Sequence, residues 1–315
     1  MSYMDFVEAV AARMDVDPEV LLSKPKSFVL NTNYRGRKMV DALAKLDISF
    51  DGKNVLDIGC AYGGMSVEAA RQGANVIGVD VDRANLGLAK LNALNDVEAS
   101  FRFHDATSQA FRDDIPEDWA DIIIINDVLE HIYDTPRLLA NLRHVSKKGA
   151  LLYYVVPNGM ATRFVVAEGH KKVFGISLAP ADCWQFFVEG RFSIFYRRWS
   201  YFESLFREFG LEELHDLNKY KHHTGVERNV REGLAEIDKA LAKAKFLTPY
   251  AESLSADLVK NYRMEAEHDL ANMELVDAAS GDVTPTATIG VEPLTSRQVD
   301  HKYLVDFWRG VRCFR

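Results

Sequence analysis

Apolar residues along the chain follow more than one period, and the changes of period divide it. Phe6, Val7, Val10 and Met14 recur at helical spacing, and Asp17-Pro18 starts a second short helix. A third helix is predicted from about Tyr34 to Leu46, with Met39, Val40, Leu43 and Leu46 on one face. From residue 53, short apolar runs alternate with amphipathic segments. The pattern predicts strands at Asn54–Ile58, Asn75–Val79, Ala99–Phe103, Ala120–Ile125 and Ala150–Val156, with helices at Met65–Arg71, Arg83–Leu94 and Pro136–Val145 between them. Strands apolar on both faces and separated by helices predict a parallel sheet covered on both sides.

Beyond Pro157 the regularity weakens. Residues 158–200 mix aromatic, glycine and basic residues without a clean period. A helix is predicted at Tyr201–Phe209, stopped by Gly210, and a strand at Leu211–Leu217. Val226, Val230, Leu234, Ile237 and Leu241 stand three and four apart, which predicts an amphipathic helix over 226–245. A second such stretch spans about 250–275. Residues 279–296 read as a loop, and Tyr303–Phe314 as a closing strand.

Composition narrows the function classes. A length of 315 residues allows about two domains at roughly 150 residues each. Lys and Arg number 38 against 46 Asp and Glu, a net charge of -8. That balance argues against a nucleic-acid partner, whose phosphates call for a basic excess. Cys60, Cys183 and Cys313 are too few and too scattered for a disulfide framework or a zinc signature. A reducing, cytoplasmic setting is expected. The acidic start M-S-Y-M-D-F-V-E is not a secretory signal, and no apolar window approaches the ~20 residues of a membrane span.

The segment V-L-D-I-G-C-A-Y-G-G, Val55 to Gly64, carries the most chemistry. Glycines at 59, 63 and 64 follow a buried strand and precede a helix. Glycine lets the chain turn sharply and lets a ligand approach the backbone, and the helix N-terminus offers free N–H groups. Asp80 ends the second strand, twenty-one residues after Gly59, where a carboxylate can accept both hydroxyl protons of a ribose. The dinucleotide fingerprint G-x-G-x-x-G fails at Ala61, which counts against NAD or FAD.

This segment resembles motif I of the class I S-adenosylmethionine-dependent methyltransferases, and further motifs follow in order. Asp80 matches the ribose-binding acid. His104-Asp105-Ala106 resembles the motif that contacts the adenine amine. Ala120 to His131, ending L-E-H, resembles the fourth-strand motif of small-molecule O-methyltransferases such as those of ubiquinone biosynthesis. Lys148-Gly149-Ala150 also fits. The resemblance covers about Val55–Asn158. It implies an α/β fold with a doubly wound, mostly parallel seven-stranded sheet, an N-terminal helical cover and a C-terminal helical insertion. It also implies S-adenosyl-L-methionine as cofactor, bound by Tyr34, Arg35, Asp57, Gly59, Cys60, Ala61, Gly63, Asp80, Val81, Asp105, Ala106 and Asn126. Arg35 or Arg37 is expected to fork onto the cofactor carboxylate. Asp57 reads either as partner to the cofactor's amino group or as a bond to the loop backbone. Cys60 also reads as a small packing residue. The family sheet ends in an antiparallel pair, placed here near 211–217 and 303–314, with the helices of 226–275 between them. The expected division is 1–50 as cover, 51–217 with 300–315 as core, and 218–299 as a lid or dimer contact.

Methyl transfer asks the protein mainly for positioning and desolvation, so a base is needed only if the acceptor must lose a proton. His131, after the fourth strand, and His170, in E-G-H, are the catalytic candidates. His131 also reads as a loop-ordering residue. Asn158, Trp184, Tyr196 and Arg197 are the candidates for the acceptor, expected to be a small molecule methylated on oxygen or nitrogen. His222-His223 reads as surface histidines rather than a metal pair, and no metal is expected. Asn126-Asp127-Val128-Leu129 does not match the D/N-P-P-Y/F turn of nucleic-acid adenine methyltransferases. Two other functions remain open on these residues: a non-methylating enzyme using the same cofactor (a cyclase or decarboxylase), and a non-catalytic partner subunit.

Overall fold

The computed structural model describes residues 3–23, 30–93, 97–218, 223–273 and 294–315. Helices α1 (Tyr3–Met14), α2 (Pro18–Leu22) and α3 (Thr32–Ala44) come first. Then β1 (Asn54–Ile58), α4 (Gly64–Arg71), β2 (Asn75–Asp80), α5 (Arg83–Ala93), β3 (Ala99–Phe103), α6 (Gln109–Asp114), β4 (Ala120–Asn126), α7 (Thr135–Val145) and β5 (Ser146–Pro157) alternate. After α8 (Thr162–Val166), α9 (Trp199–Glu208) and β6 (Leu211–Asp216) come α10 (Val226–Leu241), α11 (Pro249–Ala271), α12 (Ser296–Tyr303) and β7 (Phe307–Phe314).

The strands form one seven-stranded sheet in the order β3-β2-β1-β4-β5-β7-β6. β1 lies between β2 and β4 and runs parallel to both, with Val55 opposite Val76 and Ile122. The run of isoleucines in β4 is buried throughout, as a strand covered on both faces requires. The strand order reverses direction between β1 and β4. In open sheets of this kind, ligands bind at the carboxyl ends of the strands beside that switch point.

The chain forms two compact units. One comprises 1–154, 206–215 and 311–315; the other comprises 155–205 and 216–310. In the first unit α1 packs Phe6, Val7, Val10 and Ala11 with Leu21 and Leu88. Met14, expected on the same face, is instead exposed, because it stands in the last turn. In the second unit α10, α11 and α12 bury Val226, Val230, Leu234, Ile237, Val259, Tyr262, Ala266, Val299 and Tyr303 in one cluster. Each fully buried aliphatic side chain contributes roughly 1.5–3 kcal/mol.

Three helices escaped the pattern, α8 in the aperiodic stretch after β5 among them. α6 is six residues long, capped by Ser108 accepting from the Phe111 N–H at 3.2 Å. α12 fills the interval between the expected loop, 279–296, and the expected strand, 303–314. Its start is a capping box: Thr295 Oγ1 accepts from the Gln298 N–H, and Gln298 Oε1 accepts from the Thr295 N–H at 2.8 Å. The strand that follows therefore begins at Phe307. Residues 279–293 and His222 lie outside the described residues.

Candidate functional site

The loop after β1 is stapled to the end of β2. The Cys60 N–H donates to the Val79 carbonyl at 3.0 Å, and the Ala61 N–H donates to Asp80 Oδ2 at 2.9 Å. Asp80 Oδ1 accepts from the Asp82 N–H at 2.8 Å. Each carboxylate oxygen thus spends one bond on backbone and keeps lone-pair capacity for other donors. The Asp80 carboxylate is held rigid before any ligand arrives.

Gly59 and Gly63 have φ of 66° and 74°, and Ala61 adopts φ 46° without being glycine. A Cβ on Gly59 would lie 2.5 Å from Val128 Cγ2, so this turn also admits the segment after β4. Gly64 opens α4. A Cβ there would lie 2.3 Å from the Thr32 carbonyl oxygen, and one on Gly36 would lie 2.3 Å from the Gly64 carbonyl oxygen. Helices α3 and α4 therefore meet backbone to backbone, which sets the loop that α4 terminates.

Asp57 sits in the central strand and is 2% exposed. Its Oδ2 accepts from Ser66 Oγ at 2.6 Å. Ser66, in the first turn of α4, holds the carboxyl through its hydroxyl and its backbone N–H. Gly78 is its register neighbour on β2, and a Cβ there would lie 2.9 Å from Ser66 Oγ. Burial pushes the Asp57 carboxyl up to about 7, against the opposing bond from Ser66. Neither Ser66 nor Gly78 stood out in the sequence. Cys60 packs with Val67, Leu86, Ala89 and Phe101, and burial pushes its thiol up.

Asp105 folds into a local turn, its Oδ1 accepting from the Thr107 N–H at 2.8 Å and from the Thr107 hydroxyl at 2.7 Å. The Ala106 carbonyl accepts from Asn141 Nδ2 at 2.8 Å. Val81 is 64% exposed, an apolar side chain standing open directly after Asp80. Tyr34 is also exposed, with Lys38 Nζ 5.3 Å from its ring centre.

At the end of β4, Arg35 is ion-paired with Asp127, to which Asn126 Nδ2 also donates at 3.1 Å. Arg37 is ion-paired with Glu68 at 3.1 Å. Both guanidinium groups thus have protein carboxylates as partners. Asp127 holds φ 57°, a conformation uncommon outside glycine. His131 follows in a short 3₁₀ turn, with Nε2 3.9 Å from Glu130 Oε1. Glu130 is 1% exposed, and burial, with Asp127 nearby, pushes its carboxyl well up. Asp127 Oδ1 and Glu130 Oε2 are buried acceptors without a partner among the described residues. Orphaned acceptors beside the strand ends fit a ligand that brings donors. With the diol-ready Asp80, they fit the adenosine and amino-acid parts of S-adenosylmethionine.

The second unit has its own polar centre. Glu168 is fully buried and accepts from the His170 N–H at 2.7 Å, the Lys171 N–H, and the Tyr196 hydroxyl at 3.0 Å. His170 Nδ1 lies 3.5 Å from both Glu168 Oε2 and Tyr196 Oη. Burial opposes ionisation of Glu168, but these hydrogen bonds outweigh it and hold the carboxyl down to about 2. Sequence reading found His170 and passed over Glu168 two residues earlier; the buried acid in E-G-H was the missed signal.

A cavity of about 310 Å³ in the same unit is lined by Tyr196 and Arg197 among others. Asn158 and Trp184 do not line it. The Asn158 amide is fully buried and donates to the carbonyls of Lys302 at 2.9 Å and Val305 at 2.8 Å. Trp184 packs against Phe192 and Phe195 and donates to the Ala179 carbonyl. Both serve the core rather than the expected acceptor pocket. His223 Nδ1 lies 2.8 Å from the buried Asp300 Oδ1.

A doubly wound sheet with a glycine turn after β1 and a rigidly held acid at the end of β2 defines a Rossmann-like fold. The model of the methyltransferase domain family matches residues 32–216, and the chain belongs to that family. The ubiquinone biosynthesis O-methyltransferase of Hahella chejuensis (strain KCTC 2396) is 33% identical over 116 residues, 37% of this chain and 48% of that protein. The protein of the same name from Pseudomonas putida (strain W619) is 31% identical over 121 residues, 38% and 51% of the two chains. The chain spans about half the length of the curated relatives it matches. Among solved structures, an S-adenosylmethionine-dependent methyltransferase from Mesorhizobium loti aligns with a TM-score of 0.45 at 17% identity, over 65% of this chain and 93% of that one.

Proposed function

We propose that the chain is an S-adenosyl-L-methionine-dependent methyltransferase acting on an oxygen of a small-molecule acceptor. The observation that carries this reading is the junction of the Val55–Gly64 loop with Asp80, where a glycine turn and a pre-held carboxylate share the carboxyl ends of β1 and β2. The names of the curated relatives favour oxygen over nitrogen.

When bound, the cofactor supplies an electrophilic methyl group and its own leaving group. The chain has to hold, orient and exclude water. Asp80 accepts the ribose hydroxyl protons, Val81 and Ala106 give apolar surface to the base, and Asp105 meets the adenine amine. Asp57 faces the cofactor's amino group and gives up its proton on binding. Gly59, Cys60, Ala61, Gly63 and Asn126 shape the remaining wall, with Tyr34 and Arg35 covering it from α3. His170 is the proposed proton acceptor for the attacking hydroxyl. Glu168 supports that role by standing at its Nδ1. A cytoplasmic setting, a homodimer and the absence of a nucleic-acid partner belong to the same proposal. Among the described residues no helix is long and apolar enough to cross a membrane.

The test is transfer of an isotopically labelled methyl group to a panel of hydroxylated small acids. Labelled product and S-adenosylhomocysteine should appear in equal amounts. Cofactor binding without transfer would favour a non-methylating enzyme, and no cofactor binding would favour a partner subunit.

A further inference from the structure

Two hydroxyl groups in the cavity of the second unit spend their protons on one stretch of backbone. Ser177 Oγ donates to the Gly159 carbonyl at 2.9 Å, and Tyr262 Oη donates to the Met160 carbonyl at 2.7 Å. All four residues belong to the lining. The two carbonyls are consecutive in the chain, so both hydroxyl oxygens stand at the same wall. Both side chains belong to residues more than nine-tenths buried, at 8% exposure for Ser177 and 3% for Tyr262. Burial also pushes the Tyr262 phenol up, so its proton stays on the oxygen.

A hydroxyl that has donated its one proton keeps its lone pairs. Among the described residues no donor reaches Ser177 Oγ or Tyr262 Oη. The wall therefore holds two buried acceptors with unused capacity, and a buried acceptor is stabilised by a partner that brings a proton. The terminal nitrogens of Arg198, also in the lining, are committed to Glu265 at 2.5 and 3.0 Å. Around these groups Met160, Leu178 and Leu258 supply aliphatic and thioether surface, and Tyr196 and Tyr262 supply aromatic rings. Asn261 belongs to the lining and is exposed, which puts it where the cavity meets the surface.

We propose that this cavity binds a hydroxylated aromatic ring, whose O–H donates to the wall formed by Ser177 Oγ and Tyr262 Oη. Its volume of about 310 Å³ is roughly twice the ~150 Å³ of a cavity that holds benzene, which suits a single ring with short substituents rather than a long lipid tail. That this molecule is the methyl acceptor rests on the methyltransferase reading above; that the cavity selects a donor does not.

The experiment is calorimetric titration of the full chain with 4-ethylphenol and with 1-ethyl-4-fluorobenzene, in which a fluorine of similar size replaces the hydroxyl and brings no proton. Wild type should bind the phenol about fivefold more tightly, the net gain of one neutral hydrogen bond. Ser177→Ala combined with Tyr262→Phe removes both oxygens and should bring the two affinities within about twofold. If the double variant does not fold, the single variants are read instead, and at least one must reduce the preference by about half. Asn261→Trp, at an exposed position, should obstruct the cavity and abolish binding of both probes. Equal affinities in wild type, no binding of either probe, a preference intact in the oxygen-deleted variants, or binding undisturbed by Asn261→Trp overturns the proposal. S-adenosylhomocysteine is titrated separately; its failure to bind would overturn the methyltransferase reading without touching the comparison of phenol with fluoroarene.

Discussion

Asp57 shows how one buried side chain links pH to both stability and binding. Its folded value of about 7 lies above the ordinary 3.8, so the folded chain holds a proton that the unfolded chain releases. Between those values stability falls as pH rises, by about 4 kcal/mol in total at 1.4 kcal/mol per unit. Asp57→Asn should therefore gain little melting temperature at pH 4 and several degrees at pH 8. A gain independent of pH would show that Asp57 is not protonated in the fold. A bound cation beside Asp57 reverses the effect. Cofactor binding near pH 7 should release a proton, and apparent affinity should climb from pH 6 to 8. Calorimetry in buffers of different ionisation enthalpy measures the proton directly. His170→Ala should lower kcat by about a hundredfold with KM little changed, and should flatten the pH profile of kcat. An unaltered profile would remove it as the base.

Among elements, the contact of α3 with α4 is the least forgiving. A methyl group on Gly64 falls 2.3 Å from the Thr32 carbonyl oxygen, and neither backbone can yield without moving the loop. Gly64→Ala should cost about 1–3 kcal/mol in urea unfolding and weaken cofactor binding with it. Thr295→Ala removes the capping box of α12 and should cost about 1 kcal/mol without altering cofactor affinity. These two elements also mark what the sequence exposes. The central strands were legible because β1, β2, β4 and β5 carry near-continuous apolar runs, and the predicted ends of β1 and of the alternating edge strand β3 agree with the structure. α10 and α11 were legible from their three-and-four spacing. α12 was not, although T-S-R-Q carries its capping signature, because only Val299 and Tyr303 of its residues are both apolar and buried. Asn158 and Trp184 misled for a related reason. Polar and aromatic residues in an aperiodic stretch serve a core or a pocket equally well, and only their partners separate the two.

At the scale of the molecule, the nucleoside motifs and the polar centre around Glu168 lie in different parts of the chain. The motifs that announce a nucleoside ligand lie between Val55 and Asn126, where the sheet fixes their spacing. The cavity, Glu168 and His170 lie in residues 155–205 and in α11, where side chains distant in sequence meet without a repeating pattern. Sequence therefore reports the first and conceals most of the second. Ligands of the two units should also stabilise separately: saturating S-adenosylhomocysteine, at about a hundredfold above its Kd, should add about 2.7 kcal/mol to whichever transition contains the sheet. The most direct measurement is calorimetric titration of S-adenosylhomocysteine into wild type and Asp80→Ala. One site per chain, weakened at least tenfold by the substitution, is the predicted result. No binding to wild type, or equal affinity in both, would contradict the account.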